Sequence, residues 1–256
     1  AGRTKKDPQG ADFDAFGFPR ARYSDPMSTP AFQPRPLDGI VARRIHTPRM
    51  ILDDVLIEFR GTDIGVMGNF AAPAPPGYYD ARDAGLVVVP GLVDVHVHGG
   101  GGADFLDHTE ESIQRISTMG AAGGATSMVA TTTIPVDDAS LEGFGEFLRL
   151  LRAARPRGAR FVGLHLEGPF LNPEKRGGFG PRYVQPVDLR QAERILEMCG
   201  DFLLKITVAP EIDRGDDLIR LILDNPNTQI EVSLGHTTAD FGLARRFFGM
   251  ERVRQV

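Results

Sequence analysis

The stretch Leu92-Val93-Asp94-Val95-His96-Val97-His98-Gly99-Gly100-Gly101-Gly102-Ala103-Asp104 decides how the rest of the chain is read. Its β-branched first half, preceded by Leu86-Val87-Val88-Val89, predicts a buried strand that ends in a glycine-rich loop. Side chains alternate across a strand, so His96 and His98 share one side, roughly 6–7 Å apart along it. A dinucleotide-binding turn would need G-x-G-x-x-G here, and Asp104 stands where its last glycine belongs.

Outward from this strand, the C-terminal side alternates. A helix is predicted over Glu110 to Gly120, a strand over Thr126 to Thr133, a helix over Leu141 to Ala154 and a strand over Arg160 to Glu167. Helix Asp188 to Cys199, strand Phe202 to Ala209, helix Asp216 to Leu223, strand Gln229 to Leu234 and a helical stretch from Ala239 follow. Strands alternating with helices call for a parallel sheet with crossover helices, either open and doubly wound or closed into a barrel. His98, Glu167 and His236 lie at the C-terminal ends of three different strands. Functional groups drawn from several strand ends are the habit of a barrel. The fold class is therefore α/β, a partial (β/α)₈ TIM-type barrel with about five of eight units.

The N-terminal side differs. Ile40 to Ala42 and Val55 to Phe59 read as strands, and Arg60-Gly61-Thr62-Asp63 as the turn of a hairpin reaching Ile64-Gly65-Val66. Residues 71–83, with Pro73, Pro75, Pro76 and Gly77, read as a linker or loop. Residues 1–36 carry six prolines and no sustained periodicity, and are expected to be a disordered N-terminal extension, with Met27 as the natural start. Composition excludes some functions. Twenty-nine basic against 34 acidic residues give a net charge of −5, which offers no general attraction for nucleic acid or an anionic membrane. One cysteine, Cys199, excludes an intrachain disulfide and, with no apolar leader, suggests a cytoplasmic protein.

Three constellations carry chemistry. His96 and His98 can converge on a metal, or be a hydrogen-bonded core pair. In Gly163-Leu164-His165-Leu166-Glu167-Gly168-Pro169-Phe170, His165 and Glu167 share a face. A carboxylate at a buried strand end needs a partner, either a divalent cation or a neighbouring cation such as Lys175 or Arg176. His165 reads as a substrate-facing group or one standing behind the ligands. His236, in Ser233-Leu234-Gly235-His236-Thr237, could be structural when taken alone. Together His96, His98, Glu167 and His236 offer the N and O donors that Zn²⁺, Fe²⁺ or Mn²⁺ accepts. His46 and His108 are assigned no role. Arg152, Arg155, Arg157 and Arg160 read as a solvated helix end, and Cys199 as no nucleophile.

The motifs running from Pro90 to Gly100, with Leu164 to Phe170, Thr207-Val208-Ala209-Pro210-Glu211 and Ser233 to Thr237, resemble the amidohydrolase superfamily in order and spacing. Within it they are similar to the amino-sugar-phosphate deacetylases, for which His165 to Phe170 is the most specific segment. The resemblance implies that 89–256 is the N-terminal part of a metal-dependent barrel and 37–88 part of a small β-sandwich domain. It implies hydrolysis of the acetamide of N-acetylglucosamine 6-phosphate to glucosamine 6-phosphate and acetate, with a homodimer as the full-length form. Glu167 and His236 match the family's metal ligands. His96 and His98 match a pair that binds a second metal, giving one or two ions per subunit. Gly178, Phe179 and His165 match substrate-binding positions, although many relatives carry His where Phe179 stands. A further metal-binding His and the general-base Asp are expected beyond Val256, so the 256-residue chain is expected to be an N-terminal fragment, inactive and aggregation-prone alone. Two rivals are a cyclic amidase, disfavoured by Glu167 in place of a carboxylated lysine, and a non-catalytic remnant.

Overall fold

A computed structural model describes residues 37–61, 63–135, 137–225 and 229–255. They fall into two compact units, the smaller ending at Gly91 and the larger beginning at Leu92. The expected extension over 1–36 lies outside the described residues.

In the smaller unit, β1 (Gly39–His46) pairs antiparallel with β2 (Ile51–Arg60), and β2 with β3 (Asp63–Asn69). The second pair is the hairpin expected from Arg60-Gly61-Thr62-Asp63, with Arg60 opposite Asp63 and Gly61 at φ 63°. The segment read as a linker corrects that reading in one place, because Tyr78–Asp80 forms β4, parallel to β1. Strand β5 (Val87–Val88) also pairs parallel with β1. Ala42, Ile45, Val55, Ile57 and Ala81 make the core of this unit.

The larger unit opens with β6 (Leu92–Val97), followed by a two-stranded ribbon of β7 (Gly99–Gly100) and β8 (Ala103–Asp104). Only glycine fits at position 99, because a Cβ there would stand 2.2 Å from the Ala103 carbonyl oxygen. Then come α1 (Glu110–Ala122), β9 (Ala125–Thr132), α2 (Asp138–Ala153), β10 (Arg160–Glu167) and α3 (Leu189–Cys199). β11 (Leu203–Val208), α4 (Gly215–Leu223), β12 (Glu231–Leu234), α5 (Phe241–Phe248) and β13 (Val253–Gln255) complete the series.

The sheet order is β13-β12-β11-β10-β9-β6, with every neighbour parallel. A doubly wound sheet reverses its strand order at a switch point. Here each strand lies beside the next one along the chain, as in the curled wall of a barrel. The helices follow from their periodicity. In α2, Leu141, Phe144, Phe147, Leu148 and Leu151 are buried, and in α3, Ala192, Ile195, Leu196 and Cys199 are. Each is the i, i+3, i+4, i+7 stripe that one helix face presents to a core. Central strand β10 is buried without alternation from Leu164 to Glu167, as expected where helices cover one side and the barrel interior the other.

One expectation fails. The run ending at His98 is not a buried strand continuous with Leu86 to Val89. Val87–Val88 belongs to the smaller sheet, while β6 is an edge strand whose Leu92, Val93 and Val95 are more than half exposed. Apolar composition marks a run as a strand but does not say which neighbours it acquires.

Candidate metal centre

Glu167 ends the central strand β10, while His96 lies on β6, two strands away on one side, and His98 follows that strand directly. His236 follows β12, two strands away on the other. In a flat sheet such strands stand roughly 9–10 Å apart. Inward-pointing side chains on a curled sheet close that gap. Glu167 Oε2 lies 2.5 Å from His98 Nε2 and 3.3 Å from His96 Nε2, and Oε1 lies 3.0 Å from His236 Nε2. The carboxylate is buried, whereas the three imidazoles are partly open to solvent. Potential ligand atoms of His96, His98 and Glu167 lie within 4.8 Å of one another.

Among the described residues, neither Lys175 nor Arg176 forms an ion pair with Glu167, whose partners are the three histidines. Arg176 bonds the Phe179 carbonyl through its guanidinium, and Lys175 offers its own carbonyl to His236. Burial pushes the Glu167 pKa up, but hydrogen bonds from His236, His96 and His98 outweigh it and hold the carboxyl well below the usual range.

The loop that approaches His236 does so closely. Gly177, at φ 59°, lies where a Cβ would be 3.5 Å from the imidazole Cε1. His236 Nδ1–H donates to the Lys175 carbonyl at 2.7 Å. A carbonyl can only accept, so Nδ1 carries a proton and Nε2 faces the carboxylate. Such a pair is satisfied by a second proton on the ring or by a cation shared with the carboxylate. Three Nε2 atoms gathered on one carboxylate, with one ring fixed by a backbone carbonyl, fit the donor chemistry of a divalent metal.

The other expected site residues divide. Phe179 is buried, its ring centroid 5.9 Å from that of His98 and 5.4 Å from that of His236, so it walls one side of the cluster. Gly178 lies beside it in an exposed turn. His165 is fully buried. It stands behind His96, edge-on with centroids 4.9 Å apart, with Nε2 2.8 Å from the Thr207 hydroxyl and Nδ1 3.4 Å from that of Thr131. Burial, reinforced by His96, lowers its pKa to about 3, so it is neutral near pH 7.

Sequence reasoning gave Thr131 and Thr207 no role. The Thr131 hydroxyl accepts from the Val97 amide at 3.0 Å, which fixes the strand between His96 and His98. The arginine cluster is not a solvated end throughout. Arg152 bonds the Cys199 carbonyl, pairs with Asp201 at 3.2 Å and lies over the Phe202 ring.

A curled parallel sheet that gathers imidazoles and a carboxylate at the carboxyl ends of its strands has the form of a barrel-type candidate metal site. Residues 87–254 match the Amidohydrolase family, and the chain belongs to it. It is similar to N-acetylglucosamine-6-phosphate deacetylase of Bacillus subtilis (strain 168), with 34% identity over 163 residues, 62% of this chain and 40% of that protein. It is also similar to N-acetylgalactosamine-6-phosphate deacetylase of Escherichia coli O157:H7, with 29% identity over 211 residues, 81% of this chain and 52% of that one. Among solved structures it resembles N-acetyl-D-glucosamine-6-phosphate deacetylase from Mycobacterium smegmatis, with a TM-score of 0.67 and 26% identity, covering 81% of this chain and 52% of the other. The chain thus spans about half, or less, of the length of these relatives.

Proposed function

We propose that the chain supplies the metal-binding wall of a hydrolase that removes the acetyl group of N-acetylglucosamine 6-phosphate, giving glucosamine 6-phosphate and acetate. The observation that carries this reading is the convergence of His96, His98 and His236 on Glu167 at the strand ends. The likeness to amino-sugar-phosphate deacetylases supplies the substrate class.

In this reading Glu167 and His236 hold one divalent ion (Zn²⁺, Fe²⁺ or Mn²⁺), and His96 and His98 permit a second beside Glu167. Such an ion supplies hydroxide at neutral pH and polarises an acyl oxygen. The chain's own residues fix the donors and shape the site. The Lys175 carbonyl sets the His236 tautomer, neutral His165 backs His96, and Phe179 excludes water from one flank. The reading also includes a homodimer and a cytoplasmic location. Among the described residues, no helix is long and apolar enough to cross a membrane.

The test is acetate release by the whole protein loaded with Zn²⁺, offered N-acetylglucosamine 6-phosphate, its galactosamine isomer and a cyclic amide such as dihydroorotate. Release from the glucosamine substrate is expected. Turnover of only the isomer would move the substrate assignment, and turnover of only the cyclic amide would overturn it.

A further inference from the structure

Glu211 has no part in the chemistry above, yet it is among the most heavily engaged carboxylates in the larger unit. It follows Pro210, three residues beyond the end of β11. Its carboxylate accepts from Asn172 Nδ2 at 2.7 Å, from the Thr238 amide at 2.6 Å, from the Thr238 hydroxyl at 3.1 Å and from the Thr237 hydroxyl. Asn172 lies in the loop after β10, and Thr237 and Thr238 in the loop after β12. One carboxylate therefore ties together the loops that follow three adjacent strands.

The tie closes around His236. That residue stands at φ 51°, in the left-handed region that an L residue adopts at a cost and keeps only if its surroundings enforce it. Upstream, the Gly235 amide donates to the Val208 carbonyl at 3.2 Å. The His236 carbonyl itself accepts from the Asn172 amide at 3.1 Å, the same residue whose side chain reaches Glu211. Immediately downstream, both threonines are held by Glu211. Asn172 Nδ2 also reaches the Thr238 hydroxyl at 3.1 Å, but among the described residues Glu211 alone contacts both threonines, and it takes the Thr238 amide as well.

We propose that Glu211 is the positioning residue for His236, fixing the left-handed turn that aims Nε2 at Glu167 and thereby setting how tightly the site holds a divalent ion. The inference rests on the reading of His236 as a metal ligand. Glu211 touches no ligand atom of the cluster. Its effect passes through the backbone of residues 236–238.

The test uses the whole protein, with Zn²⁺ affinity measured by chelator competition and Co²⁺ absorption as a probe of ligand geometry. The thermal midpoint of the metal-stripped protein is followed in parallel. Glu211→Gln keeps the size of the side chain but replaces one acceptor with a donor. Loss of supports behind metal ligands typically weakens binding by about 10–100-fold. That loss and an altered Co²⁺ spectrum are expected for Glu211→Gln, with Glu211→Asp recovering part of the affinity. If Glu211→Gln does not fold, Thr237→Val removes one donor and should weaken Zn²⁺ binding several-fold in the same direction. Unchanged affinity in the folded Glu211 or Thr237 variant, alongside its loss in His236→Ala, would overturn the positioning role and leave the ligand reading intact. Unchanged affinity in His236→Ala would overturn the ligand reading, and this inference with it.

Discussion

With Nδ1–H committed to the Lys175 carbonyl, His236 can offer only Nε2 to a cation. His236→Ala is therefore expected to abolish bound metal in the whole protein, whereas His96→Ala removes at most a second equivalent. Elemental analysis after dialysis checks both, and unchanged stoichiometry in the two variants would defeat the ligand assignment. Cys199 is a different case. Burial pushes its thiol up to about 12, so iodoacetamide at pH 8 should label it only after unfolding, as mass spectrometry can follow. In the smaller unit, the side-chain and backbone hydrogen bonds of Arg82 lower the Asp80 carboxyl from 3.8 to about 2. A depressed folded-state pKa means that the stabilisation is complete above the unfolded value and is lost as pH falls through the folded one. Asp80→Asn should flatten that part of the acid-unfolding curve between about pH 4 and pH 2. Asp80 and Cys199 were legible as residue types, but their titration was not, because it depends on neighbours brought from elsewhere in the chain.

At the scale of elements, the helices were the most legible features, since capping and amphipathic spacing are both local. Asp188 caps α3 by accepting from the Arg190 and Gln191 amides at 2.9 and 3.3 Å. Asp188→Ala should cost about 1 kcal/mol, measurable by urea titration. In α2, Phe147 is fully buried and meets Phe105 and the stacked ring of His108. Phe147→Ala should cost about 3–5 kcal/mol. A loss below 1 kcal/mol would mean that this helix face is not the core. The strands were legible as strands and less so as parts of a sheet. Val87–Val88 and Leu92–Val97 have the same apolar, β-branched character, yet one joins β1 and the other lies at the edge of the parallel sheet. The short β4 was hidden among prolines because its pairing partner, β1, lies more than 30 residues earlier.

For the molecule as a whole, the parallel sheet ends at β6 on one side and β13 on the other. Val95 is 51% exposed on the β6 edge. Open strand edges with apolar side chains template association, and an edge lysine blocks it. Val95→Lys in the 256-residue chain should shift sedimentation profiles toward smaller species. An unchanged distribution would show that β6 does not mediate self-association. The sequence by itself determined the alternation of strands and helices, the helix faces, and the imidazole and carboxylate types at the strand ends, because these depend on local periodicity and side-chain chemistry. Only the tertiary structure decided that Glu167 is the hub, that His165 lies behind His96, that Glu211 meets the two threonines after His236 and that β6 is an edge. Those are distances between segments far apart in the chain, and they are set by strand order and by the curl of the sheet, which no local run of residues encodes.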